Sequence, residues 1–107
     1  MEIKQYSIVL VNLDPTIGSE IKKTRPCAVL SPNEMNRPLN TVVIAPLISQ
    51  SKNYPSRVSV HHDGIKGWVV VDQIRTIDKI RVIKSLGNLK PREISELKKV
   101  IKETFVD

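Results

Sequence analysis

The sequence predicts a mainly β chain: a small bent barrel of short strands, finished by a C-terminal amphipathic helix. Three observations predict it. Apolar runs rich in Val and Ile recur at strand length, bounded by Pro, Gly and Asn. Hydrophobic residues make up 40% of the chain but aromatics only 4%, so a core must be assembled from Val, Ile and Leu, which favour strands. Helical periodicity occurs once, near the C-terminus. A length of 107 residues suits one domain, residues 1–107, built around a single core.

The elements follow in order, as five or six strands and then a helix. Tyr6 to Leu13 (YSIVLVNL) is apolar and β-branched and stops at Asp14-Pro15, where proline cannot donate to a ladder. Thr16 to Thr24 is polar, contains Gly18, and reads as an exposed loop. Cys27 to Ser31 (CAVLS) is the second strand. Pro32 to Asn40 is a loop with one helical turn around Asn33 to Asn36. Thr41 to Ile48 (TVVIAPLI) is a buried strand in which Pro46 marks a bulge or an edge. Gln50 to Ser56 is a second polar loop, and Arg57 to His61 alternates like a half-buried strand. The turn His62-Asp63-Gly64 leads through Lys66-Gly67 to the apolar run Trp68 to Val71. Ile80 to Leu86 alternates again. Pro91 stands at a first helical position, with Ile94, Leu97, Ile101 and Phe105 or Thr104 at helical spacing behind it. Closing such a meander hides its edges, so a small SH3-like barrel is expected, with an open α+β sheet as the alternative.

Seventeen Lys and Arg against eleven Asp and Glu leave a net charge of +6, which admits nucleic acid as a partner. Cys27 is the only cysteine, so no internal disulfide forms. The opening MEIKQYSIVLVNLD lacks the pattern of a secretory signal, and no run approaches a membrane span. A soluble, cytoplasmic protein without membrane contact is expected. His61 and His62 are adjacent and would diverge on a strand, and no ligand set accompanies them, so neither metal nor cofactor is expected. Cys27 reads as a small buried hydrophobe.

Four segments carry a resemblance across most of the chain: Leu10 to Pro32 (LVNLDPTIGSEIKKTRPCAVLSP), Met35 to Arg37 (MNR), Val43 to Pro55 (VIAPLISQSKNYP) and Gly67 to Lys79 (GWVVVDQIRTIDK). The first, with D-P-T-x-G-S-E followed by R-P and an apolar strand, is the most specific. The chain resembles the MazF/PemK toxin family. That resemblance implies a CcdB/PemK-like barrel, a homodimer, and a sequence-selective, metal-independent endoribonuclease whose two extended loops flank a groove for single-stranded RNA. It also implies a separate acidic MazE-like antitoxin.

Metal-free RNA cleavage needs an activated 2′-OH, a stabilised phosphoryl charge and a protonated 5′ leaving oxygen. Arg25, the arginine of the R-P step, is the family's catalytic arginine, and its planar guanidinium suits a phosphate. A surface ion pair is the alternative reading. Glu20, five residues earlier, is expected to orient Arg25 or act as a base, unless it is a solvated loop carboxylate. Where many members carry a threonine after A-P, this chain has Leu47-Ile48-Ser49; Ile48 takes its place, and Ser49 can substitute only if the strand bulges at Pro46. Asp72 is an acid/base candidate or a buried hydrogen-bonded aspartate, and Val70 stands where the PemK-type arginine would be. Tyr6-Ser7 replaces the usual Gly-Asp. Candidate RNA contacts are Ser19, Lys22, Lys23, Gln50, Lys52, Tyr54 and Gln73, with Arg57 and Lys79 as further phosphate-facing cations. Residues 75 to 104 hold nine basic and four acidic side chains, which suits an acidic, partly disordered partner. Two other functions compete: a CcdB-like gyrase poison, and a nucleic-acid-binding relative that has lost catalysis.

Overall fold

The computed structural model describes residues 2–107. Among these the chain forms seven strands and two helices: β1 (Ser7–Asn12), β2 (Thr24–Val29), α1 (Asn33–Asn36), β3 (Thr41–Ile48), β4 (Arg57–His62), β5 (Ile65–Val70), β6 (Arg75–Asp78), β7 (Val82–Asn88) and α2 (Pro91–Phe105). All pairs are antiparallel, in the order β4-β5-β3-β2-β1-β7, with β6 also on β3. The sheet curls into the expected barrel, but its edge strands β4 and β7 share no ladder, so it is a half-barrel. A side chain closes the seam instead: the His62 imidazole lies over Gly87, where a Cβ would come within 2.2 Å of Nε2.

Period-two alternation gives the central strands an apolar group on each face. Ile8, Ala28, Ala45 and Leu47 face one cluster with Val58, Val60, Val69 and the helix residues Leu97 and Val100. Val9, Val11, Cys27, Val29, Val42 and Ile44 face a second, capped by Ile3, Leu13, Ile77 and Val82. The expected single core is therefore two layers, one on each side of β1–β3. Burial in the second layer, opposed by the charges of Arg75 and Arg25, pushes the Cys27 thiol up to about 12.

Several boundaries differ from expectation. β2 begins at Thr24 rather than at Cys27, so Arg25 and Pro26 stand on a strand opposite Val11 and Leu10; Thr24-Arg25-Pro26 carries no apolar strand pattern of its own. β5 begins at Ile65, because Lys66 and Gly67 pair with His61 and Val60 rather than forming the turn. Arg75–Asp78 forms an additional strand too short and too charged at its ends to show a pattern. Phe105 is 56% exposed; the helix buries Leu97 as expected, together with Glu93 and Val100. β3 contains no bulge at Pro46: the register runs Val29↔Ile44, Ala28↔Ala45, Cys27↔Pro46 without a shift. Pro46 does sit at a local edge, where the neighbour of β3 changes from β6, which ends opposite Ile44, to β5, which begins opposite Leu47.

Candidate functional site

The loop between β1 and β2 is fixed at its base and its tip. The Leu13 N–H donates to Lys23 O at 3.0 Å, and the Lys23 N–H donates to Asp14 Oδ1 at 3.0 Å with Lys23 at φ 73°. At the tip, Glu20 N–H donates to Ile17 O at 3.2 Å across a turn that uses Gly18 at φ 59°, while Ile17 N–H donates back to Glu20 Oε1 at 3.0 Å. Gln73 ties this loop to the 3-10 turn Val71–Gln73 by accepting from the Ile21 N–H at 2.8 Å. Polar side chains thus supply the hydrogen bonds that an irregular loop cannot make within itself.

These anchors create two neighbouring clefts. The larger, about 420 Å³, brings together Ser19, Glu20, Asp72 and Gln73 with Pro46 and Arg75. Arg75 is held by donating from Nη1 to Leu13 O at 3.1 Å. The smaller, about 120 Å³, is lined by Arg25, Ile48, Ser49, Lys66 and Gly67 among others. Arg25 Nε donates to Lys22 O at 2.9 Å, and its terminal nitrogens donate to no group among the described residues. The guanidinium is therefore oriented by the loop while keeping donors for a ligand. Glu20 does not meet it: the Glu20 carboxylate serves its own turn, and no ion pair joins the two.

Gly67 sets the end of β3. A Cβ at Gly67 would lie 2.8 Å from Ile48 O, so only glycine lets β5 approach this closely. With no bulge, Ser49 lies past the strand end, exposed, and Ile48 keeps the place on the Arg25 side of the sheet.

Asp72 accepts from Ser56 Oγ at 2.8 Å and is in close contact with Arg57 Nη1. Partial desolvation raises its pKa, but the Ser56 hydroxyl, its own backbone N–H and the Arg57 guanidinium outweigh that and hold it below the usual 3.8. It is a carboxylate at neutral pH, suited to accept rather than donate a proton. Arg57, read from sequence as a free phosphate contact, is largely consumed within the fold: it also donates to Ser51 Oγ and Ser56 Oγ and lies 5.2 Å from the Tyr54 ring centroid. Tyr54 therefore already stacks on a guanidinium. Lys22 and Lys23, in the loop after β1, and Gln50 and Lys52, in the loop after β3, are exposed and line neither cleft. Lys79 lies at the opposite end of β3, where Thr41 faces Asp78, and its ammonium contacts Asn36 O. Asn36, from the MNR segment, is structural: it is buried and bonds Ile3 O, Ser31 O and Ser31 Oγ. Arg75 and Lys66 were missed, because neither has a spacing that marks it before the clefts exist. Among the described residues no three metal-ligating side chains converge, and no helix is long and apolar enough to cross a membrane.

Comparison with known proteins agrees with this architecture. Residues 4–105 match the family model for the PemK-like, MazF-like toxin of type II toxin-antitoxin systems. The endoribonuclease toxin MazF of Escherichia coli K12 is 33% identical over 92 residues, covering 85% of this chain and 83% of that protein. The crystal structure of MazF (Form-I) from Deinococcus radiodurans superposes with a TM-score of 0.88 at 27% identity, covering 96% of each chain. A MazE-MazF structure (Form-II) from the same organism gives 0.81 at 26% identity, covering 96% and 95%. The matched segment contains both clefts and all the strands that build them, and on that footing the chain belongs to the PemK-like, MazF-like toxin family of type II toxin-antitoxin systems.

Proposed function

We propose that this endoribonuclease toxin cuts single-stranded RNA without a metal ion, leaving a 2′,3′-cyclic phosphate and a 5′-hydroxyl. The observation that carries this reading is Arg25, held at Nε by Lys22 O and lining a cleft with its remaining donors unpaired. In the reaction the ribose 2′ oxygen loses its proton and attacks phosphorus, and the 5′ oxygen leaves and takes up a proton. Arg25 stabilises the charge gathering on the phosphoryl oxygens. Asp72 is the available acceptor for the 2′ proton, with Arg57 competing for it, and Glu20 shapes the loop beside it. Ser49 supplies a hydroxyl at the mouth of the Arg25 cleft. Ser19 and Gln73 line the larger cleft as contacts for a nucleotide, and the exposed side chains of Lys22, Lys23, Gln50, Lys52 and Tyr54, on the loops that follow β1 and β3, are the further contacts of this reading.

Two partners accompany this reading. The chain acts as a homodimer whose paired barrels assemble the groove, and an acidic antitoxin occupies that groove; the MazE-MazF structure from Deinococcus radiodurans supports an antitoxin partner. A second reading, an RNA-binding relative with weakened catalysis, rests on Ile48 in place of a hydroxyl. One experiment separates them: a long RNA is incubated with the purified protein in EDTA and its new ends are mapped. Defined cuts with cyclic-phosphate ends support cleavage, whereas retained RNA binding without cuts leaves the weakened relative.

A further inference from the structure

We propose that Trp68 is a stacking platform for an unpaired base of the RNA held at Arg25; the inference rests on the RNA-cleaving reading. The registers build the case. Ile48 faces Trp68 across β3 and β5, and Trp68 faces Ser59 across β5 and β4. Carrying the β2–β3 register past Cys27↔Pro46 sets Arg25 opposite Ile48, and both residues line the same cleft. Directly paired residues of an antiparallel ladder share a face. Arg25, Ile48, Trp68 and Ser59 therefore form one cross-strand row on the face opposite Leu47, Val58 and Val69, which enter the helix-side cluster. Two strand spacings put the Trp68 backbone about 10 Å from that of Arg25 along that row, a span suited to a nucleotide flanking the cut phosphate.

The indole has no structural task that accounts for it. Trp68 belongs to neither apolar cluster and packs against neither. It is half-buried, its N–H donates to no group among the described residues, and no buried side-chain donor there is left unpaired, so the N–H faces solvent. An aromatic ring in a strand beside cations is the arrangement on which single-stranded bases stack. The cations are present: Lys66 is two residues along β5 on the same face, and Arg25 ends the row. Of the other ionisable groups on that face, Arg57 is matched by Asp72, and His61 is exposed. The charge around Trp68 thus favours a polyanion, and within it the base is what an indole recognises.

Trp68 is the only tryptophan in the chain, so its emission reports directly. The intact protein is titrated with a mixed-sequence single-stranded RNA methylated at every 2′ oxygen, which cannot be cut, and binding is followed in parallel by anisotropy of the labelled RNA. Quenching that tracks the anisotropy is expected. Trp68→Phe should bind within a few-fold of the parent, and Trp68→Ala should bind roughly 5- to 150-fold more weakly at unchanged salt dependence. Anisotropy showing binding while the emission stays constant overturns the platform and leaves the nuclease reading standing. Emission that changes on dilution of the protein alone assigns the ring to a second copy and overturns it as well. Absence of RNA binding by either signal removes both readings. The emission test uses the parent chain, so an Ala variant that fails to fold does not rescue the proposal.

Discussion

Arg25 is tied at one nitrogen and free at two, since Nε donates to the Lys22 carbonyl while the terminal nitrogens donate to no group among the described residues. Losing a donor aimed at a phosphoryl transition state costs about 3 to 4 kcal/mol, or roughly 100- to 1,000-fold in rate. Arg25→Ala should therefore slow single-turnover cleavage by that factor while RNA affinity falls far less. Arg25→Lys should not recover the rate, because an ammonium cannot hold the loop carbonyl and present a planar fork together. Cutting by Arg25→Ala within threefold of the parent would sink the mechanism. Ile48 occupies the sheet position beside Arg25, so Ile48→Thr should raise cleavage or leave it unchanged, and Ser49→Ala should lower it only if the exposed hydroxyl reaches the phosphate; the same assay reads both. Asp72 carries a pH signature. Its folded pKa lies below the ordinary 3.8, so the stability it adds is present above that value and is lost as pH falls through the folded one. The parent should lose stability on acidification below pH 4 more steeply than Asp72→Asn, as monitored by urea unfolding at a series of pH values. Arg25 was singled out through the family resemblance of its R-P step, since the residues by themselves left a surface ion pair open, and no such pair forms among the described residues. Its supposed contact with Glu20 was not legible, because sequence spacing does not reveal which backbone N–H a loop carboxylate will serve.

At the scale of elements, the strands that read clearly were those with a plain apolar pattern: β3, an apolar run, lies where the pattern placed it, and β4, which alternates, within one residue. Those that failed to read were held by neighbours rather than by their own pattern. Thr24 to Pro26 is polar yet is paired by β1, and Arg75–Asp78 is paired by β3. The helix start was legible from Pro91, but its main attachment was not. Glu93 is 1% exposed; its Oε1 accepts from Lys90 N–H at 2.8 Å and its Oε2 accepts from His61 N–H at 2.9 Å. One carboxylate thus both caps α2 and fastens it to β4. Glu93→Ala leaves two amides without acceptors and should destabilise the fold by about 2 to 4 kcal/mol. Glu93→Gln should cost less, since one carbonyl oxygen remains, and a urea series on both checks the order. A loss below about 0.5 kcal/mol for the alanine variant would show that water replaces the carboxylate.

For the whole molecule, the half-barrel places its polar clefts where β3 changes neighbours, and this could not be read from sequence because the change involves β6, the strand without a pattern. That junction also brings the second apolar layer close to the site. Cys27 sits in that layer, fully enclosed on β2 two residues from Arg25, with its thiol pushed up to about 12. Such a sulfur reacts with an aromatic disulfide reagent only after water and reagent reach it, and at neutral pH the closed protein offers almost no thiolate. Its labelling rate is therefore a clock for the opening of β2. If the strand bearing Arg25 opens only with the entire fold, labelling should accelerate with urea in step with the loss of stability; a rate insensitive to urea would reveal a local hinge beneath the cleft. A buried thiol thus offers a direct reading of how firmly the strand beneath the cleft is held.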